Sequence, residues 1–143
     1  MICLTKSQAK YLKAVYQIEG EVTVTKLANR LNFSKPSVVR GLKSLAKQGL
    51  VNYDLKIILT DKGMKLAENM VNTENIIALF LEEILKIDRK TAVVDANNIK
   101  HAVSCHTVKK LEAFLYQELK DQKIIKPIQD CQINQQLNCY KMD

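Results

Sequence analysis

Two histidines and four cysteines are the residues of this chain that could bind a soft metal ion or react with an oxidant. His101 and Cys105 are four residues apart, so a helix would carry both on one face, where they could ligate a metal. His106, Cys131 and Cys139 are the further candidate ligands for such a site. Packing of the first pair in a core is the simpler interpretation. Because the cysteines form no Cys-x-x-Cys pair, the sequence predicts reduced thiols, with oxidation of Cys131 and Cys139 as an alternative.

The motifs of common enzymes are missing from the sequence. It has no glycine-rich phosphate loop, no Gly-x-Ser-x-Gly elbow and no His-Glu-x-x-His motif, so we do not expect an enzyme. The N-terminus lacks the apolar run of a signal peptide, and the longest apolar stretches, such as residues 76–81, are too short to cross a bilayer. The expected location is therefore the cytoplasm, with no membrane partner.

The positive charge is concentrated in the first sixty residues. The net charge is +7, and residues 1–60 contain ten Lys or Arg against three Asp or Glu, whereas residues 61–143 contain twelve of each. A localised positive field attracts polyanions, of which DNA is the commonest, although RNA or an anionic membrane would suit the charge equally. The basic half is therefore the part that we expect to bind an anionic partner.

Capping residues and apolar periodicity predict three helices in this basic half. Thr5 begins a capping-box pattern, and Thr25 can cap a short helix that follows the β-branched, strand-like residues 22–24. Ser34 can cap the third helix, with Pro36 in its first turn, where the missing donor is harmless. The three predicted helices cover residues 6–19, 26–31 and 35–48.

A short hairpin is predicted directly after the third helix. Gly49 ends that helix, and residues 50–53 and 56–59 resemble two strands joined by a tight turn. Three helices followed by a hairpin is the order of a winged helix-turn-helix domain, which we place at residues 1–62.

The second half is predicted to be helical as well. Thr60 can cap a long apolar-periodic segment with a possible break at Asn72 and Thr73, where two poor helix formers meet. Further helices are expected near residues 89–104 and 107–120, so the predicted fold class is mostly α. The predicted limits are residues 63–122 for the second domain, with its linking helix, and 123–143 for a C-terminal tail.

The third predicted helix has the surface of a helix that reads a DNA groove. Short polar side chains let its backbone approach base edges, Arg40 can fork onto a guanine, and Lys35 or Lys43 can neutralise phosphate. Ser37, Val38 and Arg40 are the predicted base contacts, and an ordinary solvated face is the alternative. The predicted inward stripe is Val39, Leu42, Leu45 and Ala46, and the predicted outer face is Ser37, Arg40, Gly41 and Ser44.

The remaining contacts would go to the phosphate backbone. Lys26 and Arg30 lie on the short helix that should cross the backbone, and Lys56 lies near the hairpin tip. A role in solubility alone is the alternative for each. The complete predicted DNA-binding set is Thr25, Lys26, Arg30, Ser34, Lys35, Pro36, Ser37, Val38, Arg40, Lys43, Ser44 and Lys56.

Four strings carry a resemblance to a known family: YLKAVY at 11–16, SKPSVV at 34–39, LTDKG at 59–63 and NIKHAVS at 98–104. Through them, residues 5–120 resemble the iron- and manganese-dependent repressor family of the diphtheria toxin repressor (DtxR/MntR), in its short form without a third domain. The resemblance implies a transcriptional repressor whose second domain forms a homodimer. Such a dimer binds a palindromic operator in double-stranded DNA with one recognition helix in each successive major groove. The apolar candidates for the dimer interface are Ala92, Val93, Ile99 and Val103.

The resemblance also implies a metal site, but most of its ligands are replaced in this sequence. Of the residues placed at the ligand positions, only Glu74 and His101 are plausible ligands. The three lysines among them would repel a divalent cation, so we expect no metal cofactor, with a divalent transition metal (Mn, Fe or Zn) as the alternative. We expect instead that one of these lysines pairs with Glu74. The residues placed at the ligand positions are Lys10, Lys13, Glu74, Asn97, Lys100 and His101.

Two other functions fit the same pattern of elements. Winged helices also serve as protein-interaction modules, and the hairpin here is shorter than the family's usual one. A winged-helix regulator of another type, responding to a small ligand or a partner, would keep the fold and the DNA contacts. Salt-dependent binding to an operator separates DNA binding from the interaction module.

Overall fold

The computed structural model describes residues 4–119. In this part of the chain, α-helices dominate and a two-stranded antiparallel hairpin is the whole of the sheet, so the predicted mostly α fold class is confirmed. The elements, in order, are α1 (Lys6–Gln17), α2 (Val24–Leu31), α3 (Lys35–Lys47), β1 (Val51–Tyr53), β2 (Ile57–Leu59), α4 (Asp61–Leu79), a π-helical turn (Phe80–Ile84), α5 (Arg89–Ile99) and α6 (Cys105–Leu119).

The capping box predicted at the start of α1 is present. The Thr5 Oγ1 accepts a hydrogen bond from the Gln8 backbone N–H at 3.2 Å, and Gln8 Oε1 accepts one from the Thr5 N–H at 2.8 Å. The helix buries Leu12 and Val15 and ends at Gln17, two residues before the predicted end. Helix α1 is therefore fixed at its start by local chemistry and along its length by core packing.

Helix α2 begins earlier than predicted. Its cap is Thr23, whose Oγ1 accepts a hydrogen bond from the Lys26 N–H at 3.2 Å, so Thr25 lies inside the helix and is not its cap. The strand expected at residues 22–24 does not form because Val24 is the first helical residue. The β-branched residues that suggested a strand also suit the extended backbone of a cap, which is the conformation of Thr23.

Helix α3 and the hairpin agree with the predicted order. Ser34 caps α3, and Gly49 follows the helix at φ +71°, a left-handed conformation that glycine adopts without strain. In the hairpin Val51 pairs with Leu59 and Tyr53 with Ile57. The core of this half contains fully buried leucines from every helix: Leu12, Leu27, Leu42 and Leu45, with Leu50 before the hairpin.

Helix α4 is continuous where a break was predicted. Thr60 caps it as expected, because its Oγ1 accepts a hydrogen bond from the Gly63 N–H at 3.0 Å. Asn72 and Thr73 lie within the helix and are buried, so packing overrides their poor helix propensity. The helix widens at the following π-helical turn, where the Leu85 N–H donates to the Phe80 carbonyl five residues earlier.

Two clusters of apolar side chains form the core of the second half. Ile76 of α4 packs with Val108 and Leu115 of α6, while Ile77 packs with Ala92 and Ala96 of α5. Helix α5 ends at Ile99, five residues before the predicted end, and α6 begins at Cys105, two residues before the predicted start. Asp88 caps α5 through a hydrogen bond from Thr91, which lowers the pKa of the Asp88 carboxyl.

The described chain divides into two compact units within α4, between Glu68 and Asn69. The domain limits inferred from the sequence, 1–62, 63–122 and 123–143, stay a prediction. None of the described helices is both long and apolar enough to span a membrane.

Candidate nucleic-acid interface

One face of α3 is basic and open to solvent. Pro36, Arg40, Lys43 and Lys47 are all exposed, and their spacing of four, three and four residues aligns them along the helix. Lys35 is also exposed, and Ser37 is half-buried beside Arg40. The α3 sequence contains no acidic residue, so nothing on this helix neutralises the face.

Three side chains on this face form a hydrogen-bonded chain. Ser34 Oγ donates to Ser37 Oγ at 2.8 Å, and the Arg40 Nη2 donates to the same Ser37 oxygen at 3.3 Å. The Ser37 backbone N–H in turn donates to Ser34 Oγ at 3.4 Å, which joins the chain to the helix cap. A guanidinium has five N–H donors, so Arg40 is anchored by one and keeps others for an acceptor.

The predicted inward stripe of α3 is correct at Leu42 and Leu45 and wrong at its other two residues. Val38, predicted to contact bases, is 0% exposed and belongs to the core, so it does not reach DNA. Gly41, predicted on the outer face, is buried against the ring of Tyr11, which a Cβ at this position would overlap. Val39 and Ala46, predicted to be inward, are only half-buried. The buried stripe is Val38, Gly41, Leu42 and Leu45.

Ser44 faces α1 more than solvent. Its Oγ accepts a hydrogen bond from the Gln8 Nε2 at 2.6 Å, and the residue is half-buried. Gln8 also completes the cap of α1, so this contact joins the start of α1 to α3. The sequence pattern did not identify this role because the partners are thirty-six residues apart.

Tyr11 of α1 packs against α3 at Gly41. Its buried ring packs edge-on against Phe33, with ring centroids 5.6 Å apart, and lies against Gly41. Burial raises the pKa of the Tyr11 hydroxyl, and the positive charge of Arg40 opposes that rise. Lys47, which is not among the predicted contacts, continues the face at seven residues from Arg40, a spacing that could have identified it.

The other predicted phosphate contacts are exposed and lie on α2 and the hairpin. Lys26 Nζ donates to the Glu21 carbonyl oxygen at 2.7 Å, and an Arg30 Nη2 donates to Gln17 Oε1 at 3.2 Å. Thr25 and Lys56 are exposed as well. The structure therefore brings these residues to the surface of the same unit as α3.

The residues placed at the family's ligand positions fall in both compact units. Lys10 is exposed and Lys13 half-buried in the first unit. In the second unit the Lys100 Nζ lies 2.8 Å from the Glu74 Oε2, with the two side chains only 5% and 12% exposed. The predicted pairing of Glu74 with a lysine is therefore present, and Lys100 supplies it. Asn97, which lies in α5, and His101, which follows Lys100 in the chain, are both half-buried.

The described residues do not fit a divalent ion well. Among residues 4–119 no group of three His, Cys, Asp or Glu side chains is placed to hold one. Cys105 is disulfide-bonded, which contradicts the predicted reduced thiol and removes this sulfur as a thiolate ligand beside His101. Cys131 and Cys139, the other predicted ligands and redox candidates, lie outside the described residues.

Family profiles match both parts of the chain. The iron dependent repressor N-terminal DNA binding domain matches residues 3–56, and the iron dependent repressor metal binding and dimerisation domain matches residues 60–128. An HTH-type transcriptional regulator of Methanocaldococcus jannaschii is 32% identical over 124 residues, which cover 82% of this chain and 98% of that protein. The transcriptional regulator MntR of Salmonella typhimurium is 35% identical over 98 residues, which cover 67% of this chain and 60% of MntR.

Solved structures of two regulators resemble this fold. ScaR with bound Zn²⁺ is 29% identical with a TM-score of 0.69, and the manganese regulator SloR is 27% identical with a TM-score of 0.68. Each match covers 76% of this chain and 53% of the other, so this chain spans about half the length of these two proteins.

The comparisons correct one expectation and confirm others. The expectation of no metal cofactor is wrong for this family, because the matched second domain is described as metal binding and solved relatives contain zinc, cadmium and manganese. The expected absence of enzymatic activity agrees with a family of transcriptional regulators. The chain belongs to the iron-dependent repressor family of DNA-binding transcriptional regulators.

Proposed function

We propose that this regulator recognises its operator through the exposed face of α3, with Arg40 as the principal base-reading residue. The observation that carries this proposal is the chain from Ser34 through Ser37 to Arg40, which holds a guanidinium on a solvent-exposed basic face. Arginine pairs bidentately with the O6 and N7 of guanine, the commonest specific contact in the major groove. The preferred operator half-site therefore contains a guanine opposite Arg40.

The other predicted contact residues form two groups. One group would bind phosphate and so position the protein on the DNA, and the other would let the protein backbone approach the bases. Lys35, Lys43 and Lys56 are exposed cations that suit phosphate, as are Lys26 and Arg30 despite their hydrogen bonds within the chain. Ser34, Pro36 and Thr25 are small exposed residues that permit close approach of the backbone. Val38 is left out because it is buried, and Ser44 contributes through its contact with Gln8.

A homodimer on a palindromic operator in the cytoplasm is the assembly that we propose. A two-fold dimer presents the same helix twice, which suits a repeated half-site. Of the interface residues predicted from the sequence, Val93 and Ile99 are exposed on α5, whereas Ala92 is fully buried in its own core. Val103 is half-buried, so Val93 and Ile99, together with the exposed Val94, are the better candidates.

The experiment compares operator binding by the wild type and by Arg40→Ala. The operator is first selected from random DNA with the purified protein, and binding is then followed by fluorescence anisotropy at fixed salt. Loss of a bidentate contact costs about 1–3 kcal/mol, so we expect affinity to fall by about 5- to 150-fold on the selected operator and far less on unrelated DNA.

Two control variants separate base reading from loss of charge. Lys43→Ala removes a charge from the same face and should weaken binding to all sequences while reducing the salt slope by about one. Lys109→Ala removes an exposed charge from α6 in the other unit and should leave binding unchanged. If Arg40→Ala binds the selected operator like the wild type, Arg40 does not read a base. If binding shows no salt dependence, the protein-interaction module is the better explanation.

A further inference from the structure

Glu74 and Lys100 form a buried ion pair in the unit that matches the family's metal-binding domain. Glu74 lies in the C-terminal third of α4, and Lys100 directly follows α5, where its backbone N–H donates to the Ala96 carbonyl at 3.0 Å. Their side chains approach to 2.8 Å. The pair therefore joins α4 to the end of α5 over a sequence separation of twenty-six residues.

Burial distinguishes this pair from the exposed ion pairs nearby. The Arg89–Glu82 pair has a similar distance of 2.7 Å, but its side chains are 73% and 27% exposed. Water can compensate those charges, whereas a buried carboxylate needs a cation or several donors in contact with it. An ammonium at hydrogen-bond distance supplies that cation for Glu74.

The same carboxylate is one of the groups in this unit whose oxygens could ligate a divalent ion. The matched domain is described as metal binding, yet no group of three acidic, histidine or cysteine side chains is assembled among residues 4–119. A divalent ion that reached Glu74 would either displace the ammonium or lie close to it, and two cations at such a distance repel strongly in a buried environment.

We propose that the Lys100 ammonium is the resident cation of the Glu74 carboxylate and excludes divalent ions from it. The proposal concerns this one carboxylate, and metal binding through other residues of the chain is compatible with it. It goes beyond operator recognition by α3 and does not rest on it. Because its test follows metal binding in the absence of DNA, its failure is distinguishable from failure of the operator proposal.

The experiment measures the affinity of chelator-treated protein for Mn²⁺ and for Zn²⁺ by competition with a chromogenic chelator. Lys100→Met removes the ammonium and should raise affinity by at least about tenfold, because the ammonium no longer competes with the ion for the carboxylate. Adding Glu74→Gln to that variant should abolish the gain. Lys90→Met, on the exposed side of α5, removes a charge without opening the carboxylate and should match the wild type.

Further variants keep the test decisive if Lys100→Met folds poorly. Lys100→Gln keeps a hydrogen-bond donor beside the carboxylate without the charge, and its affinity should also rise. In the wild-type background Glu74→Gln should leave metal affinity unchanged, because the carboxylate is already occupied. The proposal is overturned if Glu74→Gln lowers the affinity of the wild type, if neither Lys100 variant gains affinity, or if a gain persists without the Glu74 carboxylate.

Discussion

Replacing Lys100 by methionine should strongly destabilise the second unit. The substitution keeps most of the apolar length of the side chain and removes its charge, so the buried Glu74 carboxylate loses the ammonium 2.8 Å from it. At 2.8 Å the gross attraction is about 6 kcal/mol at an effective dielectric constant of 20, but the desolvation of both charges offsets much of it. Breaking a buried pair by removing one partner costs about 3–5 kcal/mol, and we expect a loss in this range.

The exposed Arg89–Glu82 pair of the same unit provides a matched control. Its distance is nearly the same, but its arginine side chain is 73% exposed, so Arg89→Met should cost no more than about 1 kcal/mol. Removing both charges of the buried pair, in Lys100→Met with Glu74→Gln, should recover much of the loss because the buried carboxylate is removed together with the ammonium. The single, double and control variants together therefore distinguish the effect of burying a charge on stability from the effect of removing a charge.

Urea denaturation, followed by far-ultraviolet circular dichroism in buffer with a chelator, measures these differences. A domain with a total free energy of unfolding of about 5–15 kcal/mol would be left marginal by Lys100→Met, so the midpoint should fall steeply at an unchanged slope. The reasoning is refuted if Lys100→Met costs no more than Arg89→Met, or if the double variant is less stable than Lys100→Met alone.

Two further predictions concern the support of the basic face in the first unit. Gly41→Ala should destabilise the protein, because overlap of the new Cβ with the Tyr11 ring costs about 1–3 kcal/mol, whereas the better helix propensity of alanine gains about 1 kcal/mol. Urea denaturation measures the difference, and combining Gly41→Ala with Tyr11→Leu should restore stability. A Gly41→Ala variant more stable than the wild type would contradict the contact. The Tyr11 hydroxyl should ionise above its usual pKa in an absorbance titration, and more so in Arg40→Ala, because that variant removes the nearby positive charge. Since the raised pKa belongs to the folded state, its contribution to stability is present below about pH 10 and is lost as the pH rises through the folded-state value. Tyr11→Phe should remove this pH dependence of stability. Equal titration of Tyr11 in Arg40→Ala and in the wild type would contradict the proximity of the Arg40 charge.

Local chemistry in the sequence determined the elements of the fold. Caps at Thr5, Ser34 and Thr60, and the glycine at 49, act over a few residues, so their effect can be predicted without knowing the rest of the chain. The order of helices and hairpin, and the concentration of positive charge in the first half, then indicated the family and its anionic partner. These features depend on spacing along the chain, which the sequence contains in full.

Which side of a helix is buried was decided by tertiary packing. Leu42 and Leu45 of α3 are buried in both the predicted and the observed orientation of the helix. A partial rotation of the helix exchanges Val38 for Val39 in the core, and the apolar pattern supports both orientations. Tyr11 selects between them because its ring occupies the space above Gly41, which lacks a Cβ. The sequence contained both residues but no indication that they meet.

The pairing of distant charges was likewise decided only by the folded chain. The sequence indicated that one of three lysines would neutralise Glu74, and packing of α4 and α5 selected Lys100 by bringing its ammonium to 2.8 Å. Residues twenty-six positions apart meet only when the helices that carry them are fixed, and the free energy of that pairing depends on burial. Neither the distance between the charges nor the exclusion of water is encoded in local spacing, because both arise from packing of the whole unit.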